Sequence, residues 1–104
     1  MTGLSVKPGV KLTGLRPEVI VALIAAQGLH PSQNIVITSA LEGKHMVGSK
    51  HYVGQAVDLR IHDLDRPAAI KWRNKLALAL GKDYDVVLED DHLHIEYDCK
   101  VLYG

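Results

Sequence analysis

The chain has 104 residues, 47% apolar and 23% charged, with twelve basic side chains balancing twelve acidic ones. These numbers describe one small globular domain, residues 1–104, with material for a single core. Zero formal charge gives no electrostatic footprint for nucleic acid or an anionic membrane, and 5% aromatics without a phenylalanine make no stacking platform for single strands.

Taken in chain order, Met1 to Pro8 lacks the apolar core of a signal peptide, so synthesis and folding are expected in a cytoplasm. The first ten or so residues read as an extended lead-in. Pro17 suits the first turn of a helix, which the sequence predicts over about Pro17 to Gln27, stopped by Gly28 with Pro31 beyond. Its centre, Val19 to Ala26, is the longest apolar run and too short to span a bilayer. Apolar on every side, that helix is either deeply buried or shares a face with another subunit, leaving monomer and dimer both open.

Ile35 to Thr38 is β-branched throughout and reads as a buried strand. Residues 40 to 55, rich in glycine and histidine and without apolar periodicity, form a long functional loop. Ala56 to Ile61 then alternates: Val57, Leu59 and Ile61 toward the core, Ala56, Asp58 and Arg60 away from it. Asp65 is a good N-cap for a second helix, with Pro67 just inside, Gly81 closing it, and Trp72, Leu76 and Leu80 as its buried stripe. Val86 to Leu88 is a short strand. In the last strand Leu93, Ile95 and Tyr97 alternate with His92, His94 and Glu96. Cys99, the only cysteine, excludes an internal disulfide and a Cys-rich zinc ribbon, and no histidine context makes it a nucleophile. The expected fold is α+β: a small, mostly antiparallel sheet with two packed helices.

Two strands thus each present an ionisable face. Solvated strand faces are usually Lys, Thr and Glu; a His-x-His pair is less expected there. Residues i and i+2 on a strand lie about 7 Å apart, so one of the pair suffices as a metal ligand and the other works beside it. Imidazoles and carboxylates are the donors of a hydrolytic zinc site, in which three protein ligands leave a fourth position for water.

Ser49-x-His51-x-x-Gly54-x-Ala56-x-Asp58, followed by Asp91-His92-x-His94, resembles the zinc D,D-/L,D-peptidases. That group includes D-Ala-D-Ala carboxypeptidases and dipeptidases and the L-alanyl-D-glutamate endopeptidases used as phage endolysins. The likeness covers most of the chain, and Glu42 to Tyr52 looks most like the small phage and prophage-encoded members. It implies a hedgehog- and D-Ala-D-Ala-peptidase-like fold, with Zn²⁺ held by His51, Asp58 and His94. It further implies Asp91 as general base and His92 as oxyanion stabiliser. Glu89 competes as base, since Glu89-x-x-His92 repeats the same spacing two residues earlier in the chain.

Many relatives carry an arginine just after the Thr-Ser strand end, where this chain reads Ser39-Ala40-Leu41-Glu42. Arg60, beside Asp58, is a candidate to supply that charge; Ser49 is a candidate to hydrogen-bond within its loop or contact substrate, and His45 to line the cleft, although an exposed loop position is the commoner setting for such a histidine. The implied activity is hydrolysis of an amide bond in peptidoglycan stem peptides by a zinc-activated water, during phage lysis or wall remodelling. Without a leader, access to the wall implies release by a partner such as a holin. The alternative is an inactive zinc-binding domain, as hedgehog signalling domains illustrate, serving as a binding or virion structural module. His30 and His62 read as structural and Trp72 as core, while Tyr52 and Tyr97 fit either role.

Overall fold

The computed structural model describes residues 3–41 and 54–99. Seven elements follow one another: β1 (Gly3–Val6), α1 (Pro17–Leu29), β2 (Asn34–Ser39), β3 (Ala56–Arg60), α2 (Arg66–Leu80), β4 (Tyr84–Leu88) and β5 (His92–Tyr97). The strands form one sheet in the order β1-β2-β3-β5-β4. Only β1 and β2 pair in parallel; the other three pairings are antiparallel. The expected α+β class is therefore correct. The chain's start needs correcting, because it is no mere lead-in: Gly3 to Val6 pair with Asn34 to Ile37 as an edge strand. Half-buried at Gly3 and exposed at the next three residues, β1 carries no alternating pattern by which sequence alone would reveal it.

Helix α1 runs two residues past the expected stop. Gly28 lies inside it, and the chain leaves the helix at His30, whose backbone is extended (φ −66°, ψ 140°). Proline disfavours the α region for the residue before it, so Pro31 and not Gly28 sets the end. Nor is α1 buried all round. Val19, Ala22, Leu23 and Ala26 are buried, whereas Ile20, Val21 and Ile24 are exposed.

Helix α2 begins and ends where its local chemistry says. The Asp65 carboxylate accepts the Ala68 N–H at 2.8 Å, Pro67 sits in the first turn, and Gly81 closes the helix at φ +85°, where a side chain would be strained. Ala69, Trp72 and Leu76 are its buried face, with Leu80 only half-buried.

The core lies on one side of the sheet. There Val57 and Leu59 of β3, Val86 of β4, and Leu93 and Ile95 of β5 pack with the buried faces of both helices. Trp72 Nε1 donates to the Ala26 carbonyl at 3.0 Å, locking α2 to α1, and the Tyr84 hydroxyl donates to Glu18 O at 2.8 Å, tying β4 to the first turn of α1. Among the described residues, no helix is long and apolar enough to cross a membrane.

Candidate metal centre

With Val57, Leu59, Leu93 and Ile95 committed to the core, strand parity sends the alternate residues of β3 and β5 to the opposite face. Register then pairs them: Ala56 faces Glu96, Asp58 faces His94, and Arg60 faces His92. Directly opposed residues on adjacent antiparallel strands bring their Cβ atoms to about 4.5–5.5 Å, close enough for side chains to bond. On the far side of β3, the pairing with β2 shifts between Ile37 and Ser39, so that Ile37 opposes Leu59 and Ser39 opposes Asp58. This is a β-bulge at Thr38, whose hydroxyl donates to the Asp58 carbonyl at 3.3 Å. Bulges re-aim side chains beside active sites, and this one lies at the strand position of Asp58.

Carboxylates and imidazoles alternate in a chain across this face. The Asp91 carboxylate lies 2.6 Å from His92 Nδ1, and His92 Nε2 lies 3.7 Å from Asp58 Oδ1. The same Asp58 oxygen is 2.8 Å from His94 Nδ1, and His94 Nε2 is 3.2 Å from Glu96 Oε1. Except for Asp91, whose side chain is 88% exposed, these groups are mostly withdrawn from water. The His94 pKa is raised above its ordinary value, chiefly by the Asp58 hydrogen bond, with burial opposing and Glu96 assisting. Three carboxylates, Asp58, Asp91 and Glu96, alternate with the two imidazoles, and Arg60 adds one cation on the same face.

Two of the three expected zinc ligands, Asp58 and His94, are thus side by side, and their donor atoms, carboxylate oxygen and imidazole nitrogen, are those Zn²⁺ takes. The third, His51, lies outside the described residues, as do Ser49, His45 and Tyr52. Gly54, which opens the approach to β3, adopts φ +74°, and a side chain there would run into the Gly14 carbonyl. Another group of metal-capable side chains among the described residues is Asp85, Glu96 and Asp98, whose oxygens lie within 4.8 Å of one another. Oxygen-only donors suit hard cations and are not specific for zinc.

The three-residue turn between β4 and β5 separates the two candidate bases. Glu89 serves through its backbone, its N–H donating to His92 O at 2.9 Å while Arg66 Nη1 donates to its carbonyl at 3.0 Å. The side-chain partner of His92 in this turn is Asp91. Asp91 also lines a cavity of about 330 Å³ with Ile61, His62, Leu64 and Arg66. Arg60 shares the face of Asp58, and its Nε is buried without a hydrogen-bond partner among the described residues.

The chain matches no family model, and no curated protein or solved structure matches it either.

Histidines outside this face have other settings. His30 is buried, edge-on to Trp72 at a centroid distance of 4.8 Å, with Nε2 3.3 Å from an Asp63 oxygen. His62 is exposed beyond the end of β3, and Cys99 is exposed. Trp72 is core, and Tyr97 packs its ring against Tyr84. Sequence reasoning assigned no part to Glu96. Its signal was present as the next same-face residue after His94, but the contact that gives it meaning needs the rotamers of both side chains.

Proposed function

We propose that the chain is a zinc-dependent hydrolase that cleaves an amide bond in peptidoglycan stem peptides, serving phage lysis or wall remodelling. The observation that carries the reading is the meeting of Asp58 and His94 at 2.8 Å within a carboxylate–imidazole chain on one sheet face. Asp58 and His94, with His51 as the third ligand that the family resemblance implies, would hold the ion. When bound, Zn²⁺ supplies Lewis acidity, polarising the scissile carbonyl and acidifying water.

The chain's own groups divide the remaining work. Asp91, the most exposed member, takes a proton from the attacking water and returns it to the leaving amine as the C–N bond breaks. His92, its Nδ1 engaged by Asp91, keeps Nε2 on the Asp58 side, where as the doubly protonated ring it would donate Nε2–H to the oxygen that gains charge on the carbonyl. Arg60 adds a fixed positive charge on the same face.

The test is digestion of purified peptidoglycan by zinc-loaded protein, beside Asp91→Ala and a chelator-treated sample, with products read by mass spectrometry. New amino groups that require both zinc and Asp91 support the proposal and identify the bond. Tight zinc binding without product from any wall chemotype would replace the enzyme with a zinc-binding module.

A further inference from the structure

Glu96 is the next residue after His94 on the polar face of β5, and its carboxylate reaches the ring nitrogen that Asp58 does not. His94 Nδ1 lies 2.8 Å from Asp58 and Nε2 lies 3.2 Å from Glu96. Directly across from Glu96 stands Ala56, fully buried, whose methyl group leaves the carboxylate room to lie along the strand toward His94.

A neutral imidazole has one N–H and one lone pair, and whichever nitrogen donates leaves the other to bind metal. Asp58 and Glu96 both accept only, and Asp58 makes the shorter contact; once a cation stands between Asp58 and Nδ1, that nitrogen must offer its lone pair, and the ring proton sits on Nε2, where Glu96 accepts it. Resting on the zinc reading above, we propose that Glu96 is the positioning residue of the metal centre. It holds His94 in the Nε2–H tautomer with Nδ1 as the ligand atom. The negative charge behind the ring also raises the basicity of that ligand, and outer partners of this kind typically govern metal affinity by about 10–100-fold.

Glu96 also neighbours Asp85 and Asp98. The experiment must therefore separate orientation of His94 from bulk negative charge. Zinc affinity would be measured by chelator competition for wild type, Glu96→Gln, Glu96→Leu and Asp85→Asn. Long-range ¹H–¹⁵N spectra of each zinc-loaded protein would report which His94 nitrogen carries the metal and which the proton.

Wild type should show a metal-bound Nδ1 and a protonated Nε2. Glu96→Gln, whose amide oxygen still accepts from Nε2–H, should keep that tautomer and bind zinc several-fold more weakly. Glu96→Leu should lose about 10–100-fold, with rapid exchange of the Nε2 proton. Asp85→Asn should bind as wild type. Wild-type ligation through Nε2 would overturn the inference, as would undiminished affinity in both Glu96 variants or an equal loss in Asp85→Asn. Should Glu96→Leu not fold, Glu96→Gln with its ring spectrum decides alone. Wild-type protein that takes up no zinc would overturn the metal reading itself, a result distinct from all of these.

Discussion

Two glycines should respond in opposite directions to the same substitution. Gly54 has φ +74°, and a Cβ built on it collides with the backbone carbonyl of Gly14. An L-residue in the left-handed region costs about 1–2 kcal/mol. Relieving the collision moves Gly54 away from residues 14 to 16, at the expense of the Arg16 N–H···O Gly54 hydrogen bond of 2.9 Å, about 1 kcal/mol. Gly54→Ala should therefore lose about 2–4 kcal/mol, a fall in Tm of roughly 10–25 °C for a domain of this size. Gly28 lies in α1 with nothing within 4 Å of an added Cβ. There alanine removes only the flexibility of the unfolded chain and should gain about 0.5–1 kcal/mol. Thermal and denaturant unfolding of the zinc-free proteins separates the two. A Gly54→Ala protein within about 0.5 kcal/mol of wild type would refute the claim that the approach to β3 is built against Gly14.

Trp72→Phe should cost only about 1–2 kcal/mol in denaturant unfolding, because the Ala26 carbonyl it abandons still receives the His30 N–H at 3.0 Å. A loss above about 4 kcal/mol would mean that this carbonyl had been orphaned. In zinc-free protein the raised pKa of His94 makes its ion pairing a low-pH contribution, since the folded state holds the proton more tightly than the unfolded chain. That stability is fully present below the ordinary value of 6.5 and is lost as pH rises through the higher folded value. His94 faces Asp58 from β3 and Glu96 from its own strand, with apolar Val87 opposite on β4. A wild-type protein that does not lose stability relative to His94→Gln between pH 6 and 8 would contradict this sign. Arg60→Leu should retain zinc yet lower wall hydrolysis, by on the order of 100-fold if its charge acts on the transition state, and unchanged turnover would remove it from the site.

How far the sequence could be read depended on whether the deciding interaction was local. Asp65, Pro67 and Gly81 act within a turn of their own positions, so both ends of α2 were legible. The end of α1 pitted Gly28 against Pro31, and the proline's steric limit on His30 prevailed. Strand β1 could not be seen, because its justification is the partner strand Asn34–Ser39 about thirty residues away. The polar faces of β3 and β5 were legible from parity alone. That Asp58 would stand opposite His94 was not, because register belongs to the pair of strands. Asp91 was nominated for its spacing to His94, whereas its structural partner is the adjacent His92, a choice made by side-chain torsions in the turn.

The strand order itself explains why this face can hold charge. Placing β5 between β3 and β4 gives the two ionisable strands adjacent, central positions, while both helices pack the opposite side. The chemical groups therefore stand on strands whose other faces are fully buried: Val57 and Leu59 behind Asp58 and Arg60, Leu93 and Ile95 behind His92, His94 and Glu96. A polar substitution at Leu93 and a charge change at His94 thus act on opposite sides of one rigid backbone, the first through core packing and the second through the electrostatics of the site. Such backing is what a metal centre requires, because donors fixed before the ion arrives need not be ordered when it binds. The carboxylates on this face do not meet bare, since the His94 ring stands 2.8 Å from Asp58 and 3.2 Å from Glu96. Stabilisation by zinc should exceed that by magnesium, since His94 offers nitrogen where Mg²⁺ prefers oxygen.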